Sequence, residues 1–173
     1  MQFDLDKSIQ VLEKTPKVLK DLLADVHDDW IVNNEGGESW SPYDIIGHLV
    51  HGEKTNWMNR LDIILSKEKN NTFVPFDRLA QFKESEGKSL LQLLDEFDAL
   101  RKTNLIRLKS LRDRMADFSK TGIHPELGEV SLAQLLSTWT VHDLTHISQI
   151  TRVMAKQYKA SIGPWVNYFR LLQ

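Results

Sequence analysis

Apolar residues return at helical spacing along most of the chain. The longest such run follows Ser131. With Leu132 at zero on a helical wheel, Leu136, Trp139, Ile147, Ile150, Val153 and Met154 lie within about 60° of that direction. Ser131 and Gln134 form a capping box, and Val130 and Leu135 are spaced for a hydrophobic staple, so a helix is predicted from Ser131 to about Lys159. At the other end of the chain Leu5, Ile9, Leu12, Leu19, Leu22, Leu23 and Val26 keep the same period, interrupted at Thr15-Pro16. A threonine can cap and a proline suits the first helical position, which predicts a short helix to about Lys14 and a longer one from Pro16 to about Asp29. Ser41, Pro42 and Asp44 supply the cap, first position and first-turn charge of a helix reaching about Ser66. Ser89 caps another, with Leu90, Leu94, Phe97, Leu100, Leu108 and Leu111 on one side.

Between these runs lie the NNEGGES loop before Trp40, a polar connection over 67–88 broken by Pro75, and the loop GIHPELGE over 122–129. The 67–88 connection carries a short helical pattern at Asp77 to Phe82 and reads equally as connector or as binding loop. After Gly163 the segment PWVNYFRLL is a short amphipathic close. No alternating run is long enough to argue for a sheet. Four long amphipathic segments joined by loops predict an all-α, antiparallel four-helix bundle over 1–173 as one domain, with a short extra C-terminal helix.

Composition narrows the chemistry. The 173 residues include no cysteine, so disulfides, thiolate metal sites and a cysteine nucleophile are excluded, leaving His, Asp and Glu as strong ligands. A net charge of −2, from 22 basic and 24 acidic residues, offers no basic excess for nucleic acid. The N-terminal MQFDLDKSIQ has no signal-peptide pattern and no apolar run is long enough to span a bilayer, so the expectation is a soluble cytoplasmic protein without a membrane partner.

The stretch Thr138 to Ile150, TWTVHDLTHISQI, then stands out. At about 100° per residue, His142 and His146 stack on one helical face and reach a common point. His146 falls inside the apolar stripe and His142 at its edge. A buried imidazole must satisfy both ring nitrogens, and a metal ion satisfies one while a neighbouring acceptor takes the other. Asp143 and Gln149 are adjacent candidates for that acceptor. In the helix starting at Pro42, Ile46, Leu49, Val50, Trp57, Leu61 and Ile64 make the stripe, with Glu53 in its middle. His48 points nearly opposite, so periodicity alone assigns it to the surface; Gly52, one turn on, leaves room beside it.

Two blocks carry a resemblance. GEVSLAQLLSTWTVHDLTHISQI over 128–150, with its H-D-L-x-H-x-x-Q core, resembles the last bundle helix of the DinB family, also called DinB/YfiT-like. WSPYDIIGHLVHGEKTNW over 40–57 resembles that family's second helix, and the HPELGEV loop and the late GPW support the match. The resemblance implies a four-helix bundle with a long crossover between the second and third helices, a divalent transition metal held by His48, His142 and His146, and a homodimer. Glu53 matches an acid often found after the first histidine. His51 stands where many members carry aspartate, and it reads as a surface residue rather than a spare ligand or proton carrier.

Three nitrogen ligands describe an open site that zinc or nickel would suit. The expected function is a metal-dependent enzyme acting on a small-molecule substrate, either as a hydrolase or, as the resemblance implies for some relatives, as a transferase of a low-molecular-weight thiol. Hydrolysis calls for a general base, for which Asp143, Glu53 and His51 are the candidates. Thiol transfer needs mainly an apolar pocket, which Trp139 and Trp57 would wall. The alternative is a non-catalytic metal-binding or dimeric interaction module.

Overall fold

A computed structural model describes residues 2–66 and 70–173. Helix α1 (Leu5–Leu23) starts on Asp4, whose carboxylate accepts from the Lys7 N–H. It runs unbroken through Pro16, so the expected division at Thr15-Pro16 is not present. Proline in a helix interior leaves the carbonyl four residues back without its N–H. Here that carbonyl belongs to Leu12, and Arg101 Nη1 donates to it at 2.8 Å. A single turn, α2 (Asp29–Val32), follows.

Helix α3 (Pro42–Thr55) begins with the Ser41/Asp44 capping box. The pattern continues to Leu65 as expected, but the helix breaks at Asn56 and resumes as α4 (Trp57–Leu65). The crossover from 70 onward holds α5 (Ala80–Ser85), somewhat later than the predicted turn, and packs back on α3. Contact there is close: a Cβ on Gly47 would lie 2.4 Å from Ser85 Oγ. Helix α6 (Leu90–Ser110) has its own capping box from Ser89 and Gln92, and α7 (Leu132–Gln157) the one expected from Ser131 and Gln134. The chain closes in two 3₁₀ turns, Gly163–Tyr168 and Arg170–Leu172, in place of a regular C-terminal helix.

The segment expected to be a loop at 122–129 lies in a hairpin. Strands β1 (Thr121–His124) and β2 (Gly128–Ser131) pair antiparallel with Thr121 opposite Ser131. Four residues per strand are too few to show alternation. The hairpin is anchored by the crossover, where Phe73 N–H donates to Ile123 O and Ile123 N–H to Asn71 O. Gly122 lets the buried Phe73 ring lie over the strand, since a Cβ there would come within 2.4 Å of that ring.

Around the bundle α6 and α7 each touch both α1 and α3, and α4 continues the α3 contact with α7. Two apolar clusters fill the interior. One gathers Leu12, Trp57, Leu61, Leu105, Leu108 and Trp139; the other gathers Leu19, Leu23, Ile46, Leu49, Phe97 and Ile150. Each of these large side chains contributes about 1.5–3 kcal/mol on burial. Between them, on every bundle helix, lies a polar position: the Leu12 carbonyl on α1, Glu53 on α3, Arg101 on α6 and Asp143 on α7. No helix of the described residues is long and apolar enough to cross a membrane.

Candidate metal centre

The polar layer is an ion network at the middle of the core. Arg101 is 1 % exposed and forks onto Asp143, with Nη1 to Oδ2 at 2.6 Å and Nη2 to Oδ1 at 3.0 Å. Its Nη2 also donates to Glu53 Oε1 at 2.8 Å. Glu53 further accepts from Trp139 Nε1 at 3.1 Å and from Asn104 Nδ2 at 2.9 Å. Both carboxylates are therefore fully engaged, and neither is among the residues that line the cavity beside the histidines. Asp143 and Glu53, expected as candidate general bases, both turn to Arg101, and these bonds set the rotation of α7 and α3. His51, expected on the surface, is buried at 4 % exposure because the crossover covers it: Nδ1 lies 3.0 Å from Glu84 Oε1, and the Phe76 ring lies 5.0 Å away.

That rotation carries three imidazoles to one point. His48 Nε2 and His146 Nε2 each lie 3.1 Å from His142 Nε2. The helical wheel of α3 pointed His48 outward, and it does leave the core stripe. It is nevertheless buried, since Trp40 packs on its ring at 4.9 Å and Phe76 of the crossover at 5.6 Å. Gly52 does not make that room: a Cβ there would meet only Trp57 Nε1, at an ordinary 3.5 Å. Trp57 stacks on Trp139 at 5.6 Å and meets the His142 ring in a T-shaped contact at 5.0 Å, so Trp57 walls the site and Trp139 supports it from behind.

The donor set fits a divalent cation. A tetrahedral ion with bonds of about 2.0–2.1 Å holds its nitrogens roughly 3.3–3.4 Å apart, close to the spacing seen here. Without a cation His142 Nε2 has one hydrogen or one lone pair to offer two neighbouring nitrogens, so it cannot bond both well. Gln149 Oε1 lies 2.9 Å from His146 Nδ1, which places that ring's proton on Nδ1 and its Nε2 lone pair inward. Of the two neighbours predicted to serve in this way, Gln149 does so and Asp143 turns to Arg101 instead. Among the described residues no fourth His, Asp or Glu joins the group.

Burial keeps these rings neutral. It pushes the His48 pKa down to about 3, helped by the charges of His146 and Arg78, and the His142 pKa to about 2, helped by His146 and His48. His146 is lowered for the same first reason. Unfolded histidine titrates near 6.5. Between that value and the folded ones the unfolded chain binds more protons, so stability of the metal-free protein is full above about pH 6.5 and falls as pH drops toward 3. The urea midpoint of metal-free protein is therefore expected to be lower at pH 5.5 than at pH 7.5. Replacing all three histidines by alanine should flatten that difference.

The model of the DinB superfamily matches residues 11–150. The chain belongs to the DinB superfamily. It is 28% identical over 152 residues to a protein of Bacillus mycoides named "putative metal-dependent hydrolase", covering 85% of this chain and 83% of that one. An Oceanobacillus iheyensis protein of the same name is 21% identical over 154 residues, covering 88% and 87% of the two chains. In fold the chain is similar to YfiT from Bacillus subtilis, described as "a probable metal-dependent hydrolase with an unusual four-helix bundle topology". The TM-score is 0.72 at 22% identity, covering 92% of this chain and 87% of YfiT. For this DinB chain, then, the bundle and the three-histidine group suited to a divalent metal stand together.

Sequence reasoning missed Arg101, although Phe97, Arg101, Leu105 and Leu108 share one face of α6 and an arginine in such a stripe needs a buried acid. It also missed the far wall of the cavity. Beside the histidines lies a cavity of about 580 Å³, lined by Trp57 and Arg60 from α4, Phe73 and Phe76 from the crossover and His124 from the hairpin. The 67–88 connection thus forms part of the cavity's wall, although 67–69 lie outside the described residues.

Proposed function

We propose that this protein is a metal-dependent enzyme that hydrolyses a small molecule in the cavity beside His48, His142 and His146. One observation carries the reading: three buried imidazole nitrogens converge at the wall of a cavity of about 580 Å³, with no carboxylate completing the set among the described residues. His48, His142 and His146 would hold a divalent ion, which would supply Lewis acidity toward a carbonyl and toward water. The protein's own part is to hold and orient. The three histidines present neutral lone pairs, Gln149 fixes the tautomer of His146, and Trp57, Phe73 and Phe76 provide apolar surface that excludes bulk water from a bound substrate. The names borne by the relatives support the same reaction class.

A second reading is transfer of a low-molecular-weight thiol onto an electrophile. It is favoured by the places of Asp143, Glu53 and His51, each tied to a partner and outside the cavity lining, because a thiol needs less help from a protein base than water does. Zinc- or nickel-loaded protein offered small esters and amides on one side, and a thiol with an alkylating electrophile on the other, separates the two. Turnover of the esters or amides, lost in His142→Ala, is the expected result. Turnover only with the thiol selects the second reading, and none with either, metal bound, leaves a non-catalytic metal module.

A further inference from the structure

Four of the chain's eight arginines, Arg101, Arg107, Arg112 and Arg152, each bond a carboxylate, and Arg114 donates to the Leu65 carbonyl oxygen. Arg60 and Arg78, which line the cavity, have no carboxylate within ion-pair distance among the described residues. Arg60 is half-buried on α4, and its guanidinium carbon lies 5.2 Å from the centre of the Phe73 ring. Burial lowers its pKa from the ordinary value, the mark of a cation that has shed water without gaining a counter-ion. Arg78 stands at the cavity wall over Trp40, 6.0 Å from that ring's centre. The one acid in the lining, Glu126, is exposed and pairs with neither arginine.

Two neighbouring groups extend the pattern. His124 Nδ1 accepts from the Glu126 and Leu127 N–H groups at 3.2 and 3.3 Å, so the neutral ring keeps its proton on Nε2 as a donor. Asn56, 8 % exposed at the break between α3 and α4, lines the same cavity with its Oδ1 buried and without a hydrogen-bond partner. A buried acceptor left this way is unfavourable unless something donates to it. The remaining lining is largely aromatic and aliphatic.

From this lining we infer that the cavity takes a small carboxylate with an apolar body and an N–H group, its carboxylate held by Arg60, with His124 beside it, and its N–H turned to Asn56. An acylated amino acid has this chemistry. A planar guanidinium matches a carboxylate with two parallel hydrogen bonds, which lysine cannot do. The inference deepens the hydrolytic reading by naming its substrate class and rests on that reading for the cavity's role, although binding can be tested without turnover.

The test is calorimetric titration with N-benzoylglycine and with N-benzoylglycinamide, which share body and amide and differ in the charge. Each is titrated into zinc-loaded and metal-free protein. The acid is expected to bind about tenfold or more tightly than the amide in both forms, since a hydrogen bond to a charged partner is stronger than one between neutral groups. Arg60→Gln should erase that preference with metal content unchanged, and Arg60→Lys, which keeps charge without the fork, should retain only part of it. Equal binding of the two compounds, no binding of either, or a preference that survives in Arg60→Gln overturns the inference. So does a preference confined to the zinc-loaded form, which would place the carboxylate on the metal. Should the acid bind through Arg60 while no ester or amide is ever hydrolysed, the hydrolytic reading fails and the carboxylate site stands.

Discussion

Replacing Arg101 by methionine is expected to cost about 3–5 kcal/mol of stability, read as a lower urea midpoint at unchanged slope. The size follows from what the side chain leaves behind. Asp143 is 0 % and Glu53 3 % exposed, and both would keep their charge without a counter-ion or gain a proton at unfavourable cost. The Leu12 carbonyl, already deprived of an N–H by Pro16, would lose its donor as well. Removing the whole network should do less harm than removing its centre, because apolar or neutral replacements carry no stranded charge. Arg101→Met combined with Glu53→Gln and Asp143→Asn is thus expected to recover part of the loss. A single-variant loss under about 1 kcal/mol, the range of exposed ion pairs, would contradict this account of the layer.

His142→Ala should weaken zinc binding far more than Gln149→Ala does. His142 Nε2 lies 3.1 Å from both of its counterparts, so its loss removes the donor that the other two share. Gln149 acts one bond further out, on His146 Nδ1, where loss of such a partner costs about 10–100-fold in affinity. Competition against a fluorescent chelator measures both. If the two variants lose affinity equally, or His142→Ala keeps wild-type affinity, zinc is bound elsewhere.

Local rules made much of this legible in the chain. The caps read at Ser41, Ser89 and Ser131 fix three helix starts through contacts three residues long; all three are present, and each is a full capping box. His142 and His146 meet because both ride one helix. The failures share a cause in contacts distant along the chain. Pro16 reads as a boundary only until Arg101, 85 residues later, supplies the missing donor (101 − 16 = 85). His48 and His51 read as surface because the side of α3 they occupy is covered by Trp40 and by the crossover's Phe76, which no wheel of α3 contains. Glu53 was the visible half of a pair. A charge in the apolar stripe of α3 predicts an opposite charge in the stripe of another helix, and Arg101 in the stripe of α6 answers it. The hairpin at 121–131 and the wall it gives the cavity depend on Phe73 lying over Gly122, a packing relation with no local pattern.

Whether His48, His142 and His146 hold a divalent metal is read most directly by elemental analysis of protein purified without a histidine tag, wild type beside His48→Ala and His142→Ala. About one transition metal per chain in wild type, lost from both variants while their circular dichroism stays helical, is the predicted result. A wild-type protein that carries none and takes up neither zinc nor nickel on dialysis would contradict it.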